Sequence, residues 1–219
     1  MKVSVIPVTP LQQNCSVLVC EKTGKAAVVD PGADLDQIME VVKNMGGTLE
    51  KIFVTHGHTD HAGGVSLLAA QYGVPIEGPH PDDAFWIERI PLNAPRYGLQ
   101  GATAFTPDRW LADGDTVHFG AEELEVYHCP GHTPGHVIFF HRGLRVAMVG
   151  DVLFQGSIGR TDFPRGDLDT LLRSVTTRLW PLGDDVTFIP GHGPLSTFGE
   201  ERQSNPYVAD SVLGRAGGY

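Results

Sequence analysis

The sequence predicts a mixed α/β fold, α+β in some schemes, in which sheets pack against each other and helices lie outside. Three observations lead there. Short apolar, β-branched runs alternate with glycine- and proline-bearing turns along the whole chain. Helical segments are fewer and are scattered between groups of strands, which does not suit a doubly wound parallel sheet. A hydrophobic content of 41% in 219 residues is enough to build a core and excludes wholesale disorder.

Taken in order, the strands fall at Val3–Val8, Ser16–Cys20, Ala26–Val29 and Lys51–Val54, then at Thr116–Phe119, Leu124–Tyr127, Val137–Phe140, Arg145–Val149 and Val186–Ile189. A helix over Leu35–Asn44 places Leu35, Ile38, Met39 and Val42 on one face, behind Asp34 as the expected N-cap. A second helix is read at Val65–Tyr72. A third, Leu168–Trp180, has Leu168, Leu171, Leu172, Val175 and Leu179 at helical spacing. Glu200–Asn205 begins a further helix, and the tail after about 214 reads as frayed, Ala216–Tyr219 above all. Pro79–Pro107 is proline-rich and poorly periodic, so it reads as a long surface excursion. No repeat or low-complexity linker divides residues 1–219, which predicts one domain.

Composition narrows the function. The net charge of −10, with no run of Lys or Arg, argues against a nucleic-acid partner. No apolar stretch approaches the length of a membrane span, and Met1–Val8 lacks the apolar core and cleavage site of a secretory signal. Cys15, Cys20 and Cys129 form no CxxC pair and suit a reducing cytoplasm. No amphipathic surface stripe signals a dimer, so a monomer acting on a small molecule is expected.

Histidine placement is the informative feature. Five apolar runs end abruptly in a polar residue beside glycine: Asp30 follows one, and the others give Thr55-His56, Gly131-His132, Gly150-Asp151 and Gly191-His192. A strand ending in a tight turn presents its next side chain at a sheet rim, on a rigid frame. The densest cluster is His56-Gly57-His58-Thr59-Asp60-His61. In a loop leaving a strand, its potential ligands splay around two neighbouring ions. Imidazole and carboxylate suit zinc, and iron or manganese as well. A closed structural zinc site uses four ligands and favours cysteine, which this set does not match.

The run Thr55-His56-Gly57-His58-Thr59-Asp60-His61 resembles the HxHxDH signature of the metallo-β-lactamase superfamily, and Gly131-His132, Gly150-Asp151 and Gly191-His192 follow in that family's order. Pro130–His136 and Gly159-Arg160-Thr161-Asp162-Phe163 look like the glyoxalase II and persulfide dioxygenase branch. The resemblance is greatest to short, single-domain bacterial glyoxalase II (hydroxyacylglutathione hydrolase), from Gln13 to Pro206. It implies a four-layer αββα sandwich with the site on the rim between the sheets. It further implies one ion on His56, His58 and His132, a second on Asp60, His61 and His192, and Asp151 bridging. Two divalent ions, zinc first with iron or manganese compatible, would be the cofactors.

The implied reaction is hydrolysis of S-D-lactoylglutathione or a related acyl thioester by an activated water that Asp60 helps to aim, a step in methylglyoxal detoxification. A thiol of ordinary pKa near 8.5 leaves as thiolate without a general acid. The alternative is a persulfide dioxygenase with one iron on His56, His132 and Asp151. A nuclease of the superfamily is disfavoured by acidity. A Ser or Cys nucleophile is disfavoured because no Gly-x-Ser-x-Gly elbow occurs and Cys129 reads as a small core residue.

Full-length glyoxalase II carries a C-terminal helical region that supplies basic residues to glutathione. Here fewer than thirty residues follow His192, so Arg160 and Arg165 are the expected carboxylate-binding residues, with an ion pair the competing role for each. His128 and His136 flank a ligand loop and are candidates to brace it. His80, His118 and His141 read as structural or solvated, and Asp30 as a turn anchor.

Overall fold

The computed structural model describes residues 1–214. The first sheet contains β1 (Lys2–Val8), β2 (Gln13–Val19), β3 (Lys25–Val29), β4 (Thr48–Phe53) and β5 (Ile76–Glu77), in that order. Its first three strands are antiparallel, while β3, β4 and β5 are parallel. The second half supplies β6 (Thr116–Phe119), β7 (Glu122–His128), β8 (Val137–His141) and β9 (Val146–Gly150). A ribbon of β10 (Leu153–Phe154) and β11 (Ser157–Ile158) follows, then β12 (Thr187–Pro190) and β13 (Ser196–Thr197). The second sheet has the order β13-β12-β9-β8-β7-β6.

Alternation along the strands builds four layers. On β3, Ala26 and Val28 join the cluster under helices α1 (Leu35–Asn44) and α3 (Val65–Tyr72), while Ala27 and Val29 face the second sheet. On β8, Val137 and Phe139 meet the first sheet, while Ile138 and Phe140 face α6 (Leu168–Ser174) and α7 (Phe198–Ser204). A sheet buried on both faces needs apolar residues at every position, which is why these strands read as unbroken apolar runs. The αββα sandwich is therefore the observed fold.

Several expectations are corrected. Asp34 does not cap α1 with its side chain. It sits at φ 52° and its carboxylate instead accepts from the Thr9 N–H at 2.8 Å. Leu168–Trp180 is not one α-helix: α6 ends at Ser174, a π-helical turn covers Val175–Leu179, and a 3₁₀ turn covers Trp180–Leu182. Pro181 at the start of that turn has no N–H to continue an α-helical ladder. The last helix starts at Phe198, where Thr197 and Glu200 form a reciprocal capping box. The histidine cluster is partly helical, since α2 spans Thr59–Ala62.

Pro79–Pro107 is also more than an excursion. It holds a 3₁₀ turn (Pro81–Asp83), α4 (Ala84–Ile87), α5 (Ile90–Asn93) and a second 3₁₀ turn (Ala94–Tyr97). Prolines open three of these turns, where a missing N–H costs nothing. Ile87, Ile90 and Ala94 bury into the first core cluster. The tail read as frayed lies outside the described residues.

The contact between the sheets centres on Phe53 and Phe139, whose ring centroids are 5.3 Å apart and whose side chains are fully buried. Phe139→Ala is expected to cost about 3–5 kcal/mol of unfolding free energy, measured by urea denaturation. A loss below about 1 kcal/mol would mean that the two sheets do not depend on this contact.

Candidate metal centre

Strand direction assembles the site. β3 and β4 are parallel, and β7, β9 and β12 share one direction through the pairings β7–β8, β8–β9 and β9–β12. Their C-terminal ends therefore release chain at one edge of each sheet. Backbone hydrogen bonds tie those edges together: Val137 N–H donates to Thr55 O at 2.8 Å, and Asn14 N–H to Gly191 O at 2.7 Å. His56 and His58 leave β4, and Asp60 and His61 lie on α2. His132 sits in the loop after β7, Asp151 follows β9, and His192 follows β12.

The structure brings all seven predicted ligands together. His58 Nδ1 lies 2.9 Å from His132 Nε2, and the His56 ring stands 4.8 Å from that of His58 and 5.1 Å from that of His132. His192 Nε2 is 3.1 Å from Asp60 Oδ2. Asp151 lies between the two groups, with Oδ1 3.2 Å from His61 Nε2 and Oδ2 3.5 Å from His132 Nε2. Glycine makes this approach feasible at Gly191, where a methyl group would overlap Asp151 Oδ1 and the His61 ring.

Outward hydrogen bonds fix which ring nitrogen faces inward. His61 Nδ1–H donates to Asp30 at 2.9 Å, His132 Nδ1–H to Arg160 O at 2.7 Å, and His192 Nδ1–H to Leu11 O at 3.2 Å. The Thr55 hydroxyl donates to Asp30, so His56 Nδ1–H donates to Thr55 Oγ1 at 3.0 Å. Each of these rings then presents Nε2 to the centre. Asp30 is an anchor rather than a ligand: its oxygens are occupied by Thr55 N–H, Thr55 Oγ1 and His61.

The inner atoms fit divalent cations. His56 Nε2, His61 Nε2 and Asp151 Oδ1 are buried and have no hydrogen-bond partner, while His58 turns its Nδ1 toward His132 Nε2. Such atoms each cost about 1–3 kcal/mol unless something satisfies them, and imidazole nitrogens with carboxylate oxygens are a donor set for zinc, iron or manganese. Burial, with the rings of His61 and His136, holds His56 neutral far below the ordinary imidazole range. Burial and His132 lower His58 to about 3. Burial opposes ionisation of Asp151, but His61 and His132 outweigh it and keep the carboxylate charged. His61 is raised, because Asp151 and Asp60 outweigh its burial.

Of the flanking histidines, His136 Nε2 accepts from the Asp151 N–H at 3.0 Å and so positions that carboxylate. His128 donates to Pro134 O at 2.9 Å, bracing the His132 loop. His80, His118 and His141 stay outside the centre. His80, Asp82 and His128 gather as a separate group, yet the two rings stack 4.2 Å apart at 16°. Lone pairs in parallel planes do not converge on one ion. Cys129 is buried in the outer core of the second sheet, and burial pushes its thiol up, which leaves it inert.

Arg160 makes a bidentate pair with Asp162, at 2.8 and 3.0 Å, and its guanidinium lies 4.5 Å over the Phe163 ring beside the cavity. Arg165 stacks 4.3 Å over Phe85 and does not line the cavity. Sequence reasoning missed Asp83. This buried carboxylate accepts from Gly57 N–H (2.8 Å), Thr133 Oγ1 (2.8 Å) and Gly135 N–H (2.6 Å), joining the two ligand loops. Burial pushes it up to about 6 against those three donors. Its only signal in sequence is an Asp pair at the start of a short turn.

An αββα sandwich with a His/Asp centre on the rim between its sheets defines a class of metal-binding proteins, and sequence comparison makes the class specific. The pattern describing the Metallo-beta-lactamase superfamily matches residues 8–192. A protein of Haemophilus influenzae named hydroxyacylglutathione hydrolase GloC is 44% identical over 95% of this chain and 98% of its own. Two solved structures are also similar. BLEG-1 B3 metallo-beta-lactamase has a TM-score of 0.86 at 33% identity, covering 94% of this chain and 99% of its own. TTHA1623 in a di-iron-bound form has a TM-score of 0.81 at 35% identity, covering 93% and 100%. The chain belongs to the metallo-β-lactamase superfamily.

Asp83→Ala removes the carboxylate shared by the two ligand loops. It is expected to weaken Zn²⁺ affinity about 10- to 100-fold, measured by competition with a chromophoric chelator. Unchanged affinity would show that the loops hold their places without it.

Proposed function

We propose that this metallo-hydrolase cleaves S-D-lactoylglutathione or a related acyl thioester. The observation that carries the reading is the packing of the unpartnered His56 Nε2, His61 Nε2 and Asp151 Oδ1 beside a cavity of about 550 Å³. That volume suits a small-molecule substrate. The 44% identity to a named hydroxyacylglutathione hydrolase, along nearly the full length of both chains, supports the same substrate class.

His56, His58 and His132 would hold one cation and Asp60, His61 and His192 a second, with Asp151 shared. Zinc, iron and manganese all suit this donor set. Bound divalent cations supply Lewis acidity, which polarises an acyl oxygen and lowers the pKa of water. Asp60 is the candidate catalytic residue. Its carboxylate lines the cavity, accepts a hydrogen bond from the attacking water and aims it at the acyl carbon. Trp86 and Phe163 pack edge-on against the His58 ring, at 4.4 and 5.0 Å, and shield that side of the centre from bulk water. The thiolate leaves unassisted. The three buried, unbridged cysteines suit a reducing compartment, and no helix of the described residues is long and apolar enough to cross a membrane.

The persulfide dioxygenase reading uses His56, His132 and Asp151 alone and gives no role to His58, Asp60, His61 or His192, which stand in the same cluster. A thiol-release assay on S-D-lactoylglutathione, run with and without oxygen, separates the two. We expect equal rates in both, loss of activity on chelation, and a fall of about 100-fold or more in His58→Ala and His61→Ala. Oxygen uptake matching turnover, or activity retained in both variants, would overturn the hydrolase reading.

A further inference from the structure

The helical turns between β5 and β6 turn one stripe toward the cavity: Trp86, Arg89, Asn93, Arg96 and Tyr97. Intervals of three, four and three residues are those of one helical face. Ile87, Ile90 and Ala94 point the other way into the core, and α4 and α5 pack against α2. The stripe contains no acid. Arg89 and Arg96 have no carboxylate partner among the described residues, although the chain carries 26 acidic groups against 16 basic ones. Arg109, Arg142, Arg145, Arg160, Arg178 and Arg202 are all paired, and Arg165 and Arg173, which have no acidic partner among the described residues either, do not line this cavity. The Arg89 guanidinium is held 4.3 Å over the Phe85 ring, which leaves its N–H edge open.

We propose that Arg89 and Arg96 bind carboxylates on the thiol-bearing half of the substrate, so that the site selects a short acidic peptide thiol over a neutral one. The guanidinium fork offers parallel N–H donors matched to the two oxygens of a carboxylate. Asn93, between them on the stripe, both donates and accepts, as a peptide bond requires. Arg160 also lines the cavity, but in this structure Asp162 occupies its fork, whereas Arg89 and Arg96 face the cavity without an acidic partner among the described residues. The inference takes the nature of the ligand from the thioester reading, and it adds Arg89 and Arg96 to the expected carboxylate contacts.

Calorimetric titration of the metal-loaded protein with S-methylglutathione, a thioether with no scissile acyl bond, tests this without turnover. Its dimethyl ester, which lacks both carboxylates, is the comparison. Wild type is expected to bind the diacid about tenfold or more tightly than the diester. The double variant Arg89→Ala/Arg96→Ala should bring the diacid to the affinity of the diester without moving the diester itself, and Arg89→Lys/Arg96→Lys should restore part of the difference. With S-D-lactoylglutathione, the alanine variants should raise KM more than they lower kcat. Equal affinity for diacid and diester in wild type, binding of neither, or a diacid preference that survives the double alanine variant would overturn the proposal. A diacid preference that depends on the two arginines, in a protein that releases no thiol from thioesters, keeps the subsite and removes the hydrolase reading instead.

Discussion

Five imidazoles and two carboxylates are packed together so that His56 Nε2, His61 Nε2 and Asp151 Oδ1 are buried without a hydrogen-bond partner, and the surrounding structure holds that arrangement in place. Buried acceptors facing acceptors are unfavourable without a cation between them. The surrounding shell therefore supplies acceptors that fix orientation. Asp30, Thr55, Leu11 O and Arg160 O take the outer N–H groups of four histidines, while His136 takes the N–H of Asp151. None of these groups needs to touch a substrate to be essential.

The fold supplies the rigidity this requires. Two sheets, each buried on both faces, end in same-direction strands at a common rim, so ligands far apart in sequence leave stiff elements rather than free loops. Asp83 extends the frame by joining the Gly57 and Gly135 loops from a third element. That element also carries Trp86, Arg89 and Arg96 to the cavity, so the residue that joins the two loops and residues that line the cavity belong to one segment.

Much of this was legible in the sequence because both-face burial writes itself as apolar runs, and because strand–glycine–His/Asp junctions mark a rim. All the longer strands were readable on those grounds, and the seven candidate ligand positions came from the junctions, the dense His56–His61 cluster and the family resemblance. The short pairings, Ile76–Glu77, Leu153–Phe154, Ser157–Ile158 and Ser196–Thr197, were not readable, since two residues carry no periodicity. The helical turns of 81–97 hid behind Pro81, Pro91 and Pro95, which look like breakers yet sit in first turns. Arg160 stood out beside a recognisable motif, whereas Arg89 and Arg96 become meaningful only when their helical face is seen to line a cavity.

The central claim is that seven side chains from distant parts of the chain hold a pair of cations around one shared carboxylate. Calorimetric titration of metal-free protein with Zn²⁺ addresses it most directly. The account predicts two equivalents per chain, and Asp151→Ala weakening both. A single equivalent in the wild type, or an Asp151→Ala protein that still takes up two with unchanged affinity, would contradict it.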